Sequence, residues 1–249
     1  MRRRLQWLII SDLGSIRPKR PAERVLSRRW KPLDMMKDVL RVPGPLRVVE
    51  GWLGADIADR LLERAIGLTA AFTDGRIGVD SGRVDVSIRQ VQRFDAFDSL
   101  VGEDRELAGL VTARLKGLLD DSLKSFGMPP IALARLELEL VAYGHGGFYL
   151  RHIDTLAGDE RDAADPARGD RVLSAVCYLH RRPRRFTGGD LRLHAIVGDA
   201  FVDVEPVHDR LVLFPSWLPH EVRAVSCPDS DFADSRFALI GWFRRSRTP

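Results

Sequence analysis

The chain has 249 residues, of which 45% are hydrophobic and 30% are charged, and its formal net charge is +4. This composition is that of an ordinary globular protein with a sizeable core, and it excludes wholesale disorder. The two cysteines, Cys177 and Cys227, form no CxxC pair, which excludes a zinc ribbon and a disulfide framework. The apolar run after the N-terminal arginines is too short for a signal peptide or a membrane span, so we expect a cytoplasmic protein.

The N-terminal segment 1–42 is strongly basic. It holds twelve Arg and Lys against four Asp and Glu, a net charge of +8. Its prolines and its lack of periodicity predict a poorly ordered extension in front of a single domain at 43–249. Such an arm can contact RNA, ribosomes or acidic lipid, or it can be a solvated tail, and we favour the tail.

Hydrophobic periodicity predicts the elements that follow. A short strand is expected at 48–49, a helix over 54–66, and a second helix that begins near 107 and ends near 126, ahead of Gly127 and Pro129. Alternation of apolar and polar residues predicts strands over 84–88 and 135–140. Further strands are predicted in the apolar stretches 172–179, 191–197, 200–204, 210–214, 220–225 and 236–243.

Two helices followed by many short strands, with no βαβ alternation, predict a mostly β fold with supporting α-helices. The expected core is a double-sheet jelly-roll or barrel braced by the helices on one face. The loop 155–170 is long and rich in Asp, Glu, Gly and Ala. It is interpreted either as a lid or as the tip of a hairpin.

A His-x-Asp triplet stands at the end of segment 146–154, where apolar and aromatic residues favour an extended backbone. In a strand, His152 and Asp154 face the same side. A distant histidine would complete a facial triad of two histidines and one carboxylate, the arrangement that holds iron(II) and leaves three positions open. His220 is the best third ligand because it follows one apolar strand and opens another. The weaker candidates are His145, His180, His194 and His208.

Arg236 opens the last strand, on the face that it shares with Ala238, Ile240 and Trp242. If that face looks inward, the guanidinium needs an anion. The distal carboxylate of 2-oxoglutarate fits it as a bidentate partner, and a salt bridge with a buried Asp or Glu is the alternative. Two tyrosines, Tyr178 and Tyr143, could reach the same cavity from neighbouring strands, although both could be simple packing.

The order of these motifs resembles the prolyl hydroxylase-domain (EGL-9-like) group of Fe(II)- and 2-oxoglutarate-dependent dioxygenases. The resemblance covers roughly residues 131–244. It implies a double-stranded β-helix (jelly-roll) domain. The shared positions, in chain order, are Tyr143, His152, Asp154, Tyr178, Leu179, Gly188, Gly189, Glu205, Pro206, Asp209, Phe214, Pro219, His220, Arg236 and Trp242.

The same resemblance implies the role of each site residue. His152, Asp154 and His220 would ligate Fe(II). Arg236 and Tyr178 would bind the C5 carboxylate of 2-oxoglutarate, with Tyr143 near its chelating end. In related halogenases a small residue replaces the carboxylate, so the intact Asp154 favours hydroxylation.

The implied reaction is hydroxylation of an unactivated C–H bond with release of succinate and CO2, using Fe(II), 2-oxoglutarate and O2, with ascorbate as a candidate reductant. A prolyl residue of a protein or peptide is the first substrate expected, and a free amino acid or natural product is the alternative. Two departures from the family bear on this: loop 155–170 is longer and more acidic, and Ile240 stands where some relatives carry a hydroxyl. A non-enzymatic binding module that uses the basic arm is the alternative of another class.

Overall fold

The computed structural model describes residues 40–77, 84–155, 169–227 and 231–247. The predicted N-terminal extension, except for its last three residues, lies outside the described residues. Positions 156–168 of the predicted lid or hairpin tip lie outside them as well. Both interpretations therefore stay predictions. Within the described residues, no helix is long and apolar enough to cross a membrane.

Three helices pack on one face of the molecule: α1 (Ala55–Gly67), α2 (Gly102–Gly117) and α3 (Leu119–Ser125). Short 3-10 turns lie at Thr69–Ala71, Phe97–Ser99 and Phe232–Asp234. The helix predicted over 54–66 is confirmed as α1. The single helix predicted to end near 126 is two helices, because the chain leaves the helix at Leu118 and resumes at Leu119.

Fourteen strands occur in the part of the domain that the structure describes. Most of the predicted strands are confirmed, with bounds that differ by a few residues. In chain order the strands are β1 (Arg47–Val49), β2 (Thr73–Asp74), β3 (Arg89–Gln90), β4 (Gln92–Phe94), β5 (Leu133–Tyr143), β6 (Phe148–His152), β7 (Asp170–Leu179), β8 (Thr187–Gly188), β9 (Leu191–His194), β10 (Phe201–Val204), β11 (Leu211–Pro215), β12 (His220–Val222), β13 (Val225–Ser226) and β14 (Arg236–Arg245).

The strands form two main antiparallel sheets. The larger has the order β1-β11-β7-β14-β5-β4-β2, the smaller has the order β10-β9-β12-β6-β3, and β8 pairs with β13. One apolar cluster joins the three helices to the outer face of the larger sheet. A second cluster fills the space between the two sheets and includes Tyr143, Tyr178, Phe214 and Ala238. The interior between the sheets is where the predicted site residues lie.

The strand predicted over 84–88 is wrong. Val84 and Val86 are 48% and 62% exposed, and β3 begins only at Arg89. Asp85 causes the difference, because its side chain accepts hydrogen bonds from the backbone and hydroxyl of Ser87, at 3.1 and 2.6 Å. Aspartate competes in this way with regular backbone pairing and favours a turn. The alternating valines therefore lie on a turn rather than on a half-buried strand.

Along β5, side chains point alternately toward the helices and toward the opposite face of the larger sheet. Leu136, Leu138 and Leu140 pack toward the helices, whereas Glu139 faces the other way and is only 4% exposed. The carboxylate of Glu139 accepts hydrogen bonds from Arg89 Nη2 and Arg93 Nη1, both at 3.0 Å. Arg89 is itself buried, so its ion pair with Glu139 ties β3 of the smaller sheet to β5 of the larger sheet in a low-dielectric interior.

Replacing Glu139 by alanine is expected to lower the free energy of unfolding by about 3 kcal/mol, because Arg89 would remain buried without a counter-charge. Urea denaturation measures this change. The matched control is Glu205→Ala, which removes an exposed partner of Arg184 and should cost less than about 1 kcal/mol. Equal, small effects of both substitutions would contradict a structural role for the buried pair.

Candidate active site

Two adjacent strands of the smaller sheet bring His152 and His220 face to face. The two residues are direct partners in the β6–β12 pairing, and their ring centroids lie 4.2 Å apart. Each Nδ1 lies 2.8 Å from a backbone carbonyl two residues earlier, that of Leu150 or of Leu218. A carbonyl only accepts, so both Nδ1 atoms carry the proton and both Nε2 atoms keep a free lone pair.

Asp154 lies beyond the end of β6, so strand alternation does not place its side chain as we predicted. Its position is set instead by a hydrogen bond of 2.9 Å from its backbone N–H to the carbonyl of Ser216. The two carboxylate oxygens lie 3.7 Å from His152 Nε2 and 3.6 Å from His220 Nε2. The ligand atoms of the three residues all lie within 4.8 Å of one another.

The protonation states of these groups suit a metal ion. Burial, and after it the neighbouring His152, lower the pKa of His220 to about 4. Burial alone would raise the pKa of Asp154, but His220 and His152 beside it hold that pKa well below its ordinary value. At neutral pH His220 is thus an uncharged imidazole and Asp154 an anion, the forms in which these side chains bind metals. Two nitrogens and one oxygen form a set that suits iron(II).

The four weaker histidine candidates have other neighbours. His145 Nδ1 accepts from the backbone of Cys227, and His208 Nδ1 accepts from the backbone of His180. His194 faces Glu221 at 3.7 Å. Among the residues that the structure describes, His152, Asp154 and His220 form the one group of three such side chains close enough to hold a metal.

Arg236 lies at the inner end of β14 and is 1% exposed. Its Nε donates to the carbonyl of Gly189 at 2.9 Å, and its buried Nη2 has no hydrogen-bond partner within the described part of the chain. None of the described ion pairs involves Arg236, so the alternative of a salt bridge with a buried acid is not what the structure shows. A buried guanidinium with a free N–H is a site for an anion that the protein itself does not supply.

Both predicted tyrosines lie against this guanidinium. The Cζ atom of Arg236 lies 5.0 Å from the ring centroid of Tyr143 and 4.8 Å from that of Tyr178. Burial raises the pKa of Tyr178 to about 12, so its hydroxyl is a proton donor. Within the described residues this hydroxyl also has no partner. Arg236 Nη2 and Tyr178 Oη are therefore two buried donors on neighbouring side chains between the sheets, an arrangement that fits a carboxylate.

Three residues that contact the triad are not predicted from the sequence. Tyr149 stacks on His152, with ring centroids 3.6 Å apart and an interplanar angle of 18°. Ser174 and Ser216 lie behind Asp154, fully buried. Tyr149 precedes His152 by three residues and was visible only as part of an aromatic pair. The two serines are harder to predict, because a single serine in or beside an apolar strand does not by itself indicate a site residue.

Comparison with known proteins agrees with this geometry. The family model described as the 2OG-Fe(II) oxygenase superfamily matches residues 138–244, a span that contains every predicted site residue. Over this span the chain is similar to members of that superfamily. An uncharacterized PKHD-type hydroxylase of Synechocystis is 33% identical over 147 residues, which cover 56% of this chain and 46% of that protein. Egl nine homolog 1 of Rattus norvegicus is 26% identical over 94% of this chain and 64% of its own length.

Among solved structures, the chain is similar to a prolyl-4-hydroxylase of Pseudomonas putida. The TM-score is 0.57 with 26% identity, over 84% of this chain and 96% of that one. The predicted double-stranded β-helix and the resemblance to the prolyl hydroxylase group are confirmed, as are Fe(II) and 2-oxoglutarate as the cofactors of the family. The chain spans about half to two thirds of the length of the first curated relatives that it matches.

Proposed function

We propose that this protein is an Fe(II)- and 2-oxoglutarate-dependent dioxygenase that hydroxylates a C–H bond, with a prolyl residue of a protein or peptide as the expected substrate. Two features of the interior between the sheets carry the proposal. One is the set of three side chains whose ligand atoms lie within 4.8 Å, and the other is the buried Arg236 beside Tyr178, with an Nη2 that has no partner among the described residues. His152, Asp154 and His220 would hold Fe(II), and Arg236 and Tyr178 the distal carboxylate of 2-oxoglutarate.

When bound, Fe(II) with 2-oxoglutarate and O2 supplies oxidative decarboxylation, which yields succinate, CO2 and an oxidant for a C–H bond. The protein's own residues bind, orient and exclude water. The Arg236 guanidinium and the Tyr178 hydroxyl fix one end of the cosubstrate by charge-assisted hydrogen bonds. Tyr143, buried opposite Arg236 in the β5–β14 pairing, forms the wall beside the cosubstrate. The Nδ1–H groups of both imidazoles donate to backbone carbonyls, which turns each Nε2 toward the site.

The expectation of a peptide substrate rests on two observations. One is the similarity to the Pseudomonas putida prolyl-4-hydroxylase over 84% of this chain. The other is a cavity of about 230 Å³ beside residues 84–92, lined by the exposed Val84 and Val86 and by Gly144 and Gly147. An open groove at this edge suits an extended chain better than a free amino acid. The alternative to a peptide substrate is a small molecule, and a substrate test compares the two.

The direct test is succinate formation from 2-oxoglutarate by anaerobically iron-loaded protein after exposure to air, with His152→Ala as the control. We expect slow, iron-dependent turnover that the control lacks, and faster turnover once a proline-containing peptide is added. A wild-type protein that neither forms succinate nor binds 2-oxoglutarate in an iron-dependent manner by calorimetry would refute the proposal. The cytoplasmic location and the domain boundary at residue 43 are not tested by this assay and stay predictions.

Gly189 offers a further prediction, because its backbone touches the cosubstrate-binding arginine. Its φ is +73°, and an added Cβ would lie 3.1 Å from Arg236 Cδ and 3.0 Å from Val225 Cγ2. Gly189→Ala should therefore displace Arg236 and raise the Kd for 2-oxoglutarate by roughly 10-fold, the effect of losing about one charge-assisted hydrogen bond. Calorimetry on the Mn(II)-loaded protein measures the Kd.

Gly198→Ala is the matched control for this substitution. Gly198 has a similarly positive φ of +87°, but an added Cβ would meet nothing within 4 Å. Both variants carry the backbone strain of a left-handed residue, about 1–2 kcal/mol, and only Gly189→Ala crowds Arg236. Equal Kd values for the two variants would show that Gly189 does not position the arginine.

A further inference from the structure

Two buried serines stand behind the candidate metal ligand Asp154. Ser174 lies in the middle of β7 and Ser216 directly follows β11, and both are fully buried. Ser174 Oγ lies 2.6 Å from Asp154 Oδ2 and 2.9 Å from Ser216 Oγ. The three side chains form a short, continuous chain of hydrogen bonds that runs away from the triad into the larger sheet.

The backbone around these serines is fixed on several sides. Ser174 is paired with Phe214 of β11 on one side and with Trp242 of β14 on the other. The N–H of Ser216 donates to Val172 O at 3.0 Å, and its carbonyl accepts from Asp154 N at 2.9 Å. Asp154 is therefore held twice, through its backbone by Ser216 and through its carboxylate by Ser174. A rigid strand pair, rather than a loop, sets the orientation of the carboxylate.

The direction of these hydrogen bonds is set by Asp154, the last acceptor in the series. A carboxylate that binds a metal is an anion and can only accept, so the Ser174 hydroxyl donates to Asp154 Oδ2. Because a hydroxyl has one proton, Ser174 Oγ must then accept from the hydroxyl of Ser216. The order is Ser216 to Ser174 to Asp154, and hydrogen bonds aligned in this way strengthen one another in a buried site.

Both carboxylate oxygens of Asp154 face the histidines. Oδ1 lies 3.7 Å from His152 Nε2, and Oδ2, which accepts from Ser174, lies 3.6 Å from His220 Nε2. We propose that Ser174, supported by Ser216, is a positioning residue that fixes the orientation of the Asp154 carboxylate toward the two Nε2 atoms. This inference rests on the proposed iron site. Its consequence is that the carboxylate is already oriented before an ion binds.

The test compares Co(II) binding by calorimetry, and the Co(II) absorption spectrum, in the full-length wild type and in Ser174→Ala, Ser216→Ala and Ser122→Ala. Ser122 is an equally buried serine in α3, so its variant controls for loss of a core hydroxyl. We expect Ser174→Ala to raise the Kd for Co(II) roughly 10- to 100-fold, the usual effect of removing a partner of a metal ligand. Its spectrum should change, because the band shape depends on how the ligands are arranged around the ion.

Ser216→Ala should shift the Kd in the same direction by less, and Ser122→Ala should leave both readouts as in the wild type. Should Ser174→Ala fail to fold, the Kd and spectrum of Ser216→Ala decide the question in the same way. Wild-type Kd and spectrum in the serine variants would overturn the positioning role while leaving the proposed oxygenase intact. Equal, weak Co(II) binding by the wild type and by His152→Ala would overturn both.

Discussion

Replacing His220 by alanine is expected to abolish iron-dependent succinate formation and to weaken Fe(II) binding by more than about 100-fold, beyond what loss of an outer partner costs. The reason is geometric. His220 supplies one of three donor atoms within 4.8 Å, and its strand pairs directly with that of His152. Two remaining ligands cannot hold the ion in a defined geometry. Succinate assay and anaerobic calorimetry measure the two effects.

The matched control for this substitution is His194→Ala. His194 lies on β9, the other neighbour of β12, and it faces Glu221 rather than the triad. Substitution there removes an imidazole from the same sheet and should leave metal binding and turnover near wild-type values. Comparable losses in both variants would mean that the sheet had been disrupted, and retention of iron binding by His220→Ala would remove His220 from the site.

Replacing Arg236 by methionine should cost about 2–4 kcal/mol of 2-oxoglutarate binding, a Kd roughly 30- to 1000-fold higher, because a buried charged partner of a carboxylate is lost. Calorimetry on the Mn(II)-loaded protein measures this. Metal binding itself should not change, since Arg236 contacts Gly189 and the two tyrosines and none of the three ligands.

Stability provides the second readout for Arg236. Among the described residues its buried guanidinium has an N–H without a partner, which is unfavourable. The ligand-free Arg236→Met protein should therefore unfold at the same or a higher urea concentration than the wild type. Arg223→Met, at a half-exposed arginine paired with Glu221, should alter neither quantity. A 2-oxoglutarate Kd within about 3-fold of wild type would show that Arg236 does not hold the cosubstrate.

The sequence predicted the positions of β7, β11 and β14 because their apolar runs are long and bounded by turn residues. It also predicted that Arg236 faces inward, because alternation fixes a face once a strand is present. It failed at 84–88, where the side chain of Asp85 competes for backbone hydrogen bonds that a pattern of valines does not reveal. A side chain that accepts hydrogen bonds from nearby residues does not change the hydrophobic pattern, so periodicity cannot predict such a turn.

The candidate site was predictable where chemistry restricts the residue type. Only a few side chains bind metals, so His152, Asp154 and His220 could be selected from one sequence. The reason given for Asp154 was incomplete, because a backbone bond to Ser216, 62 positions later, places it. Ser174 and Tyr149 were missed because serine and tyrosine are common in β proteins. Their importance depends on long-range pairing, which a sequence without homologues does not show.

The direct pairing of His152 with His220 makes the bound metal a crosslink within the smaller sheet. The two histidines are far apart along the chain, yet they are neighbours in adjacent strands. An ion held between them closes the loop of chain from β6 to β12, and this loop contains β7, the strand next to β14 in the larger sheet. Metal occupancy is thus linked to the folding of the domain core, since any ion that binds only the folded chain shifts the unfolding equilibrium by mass action.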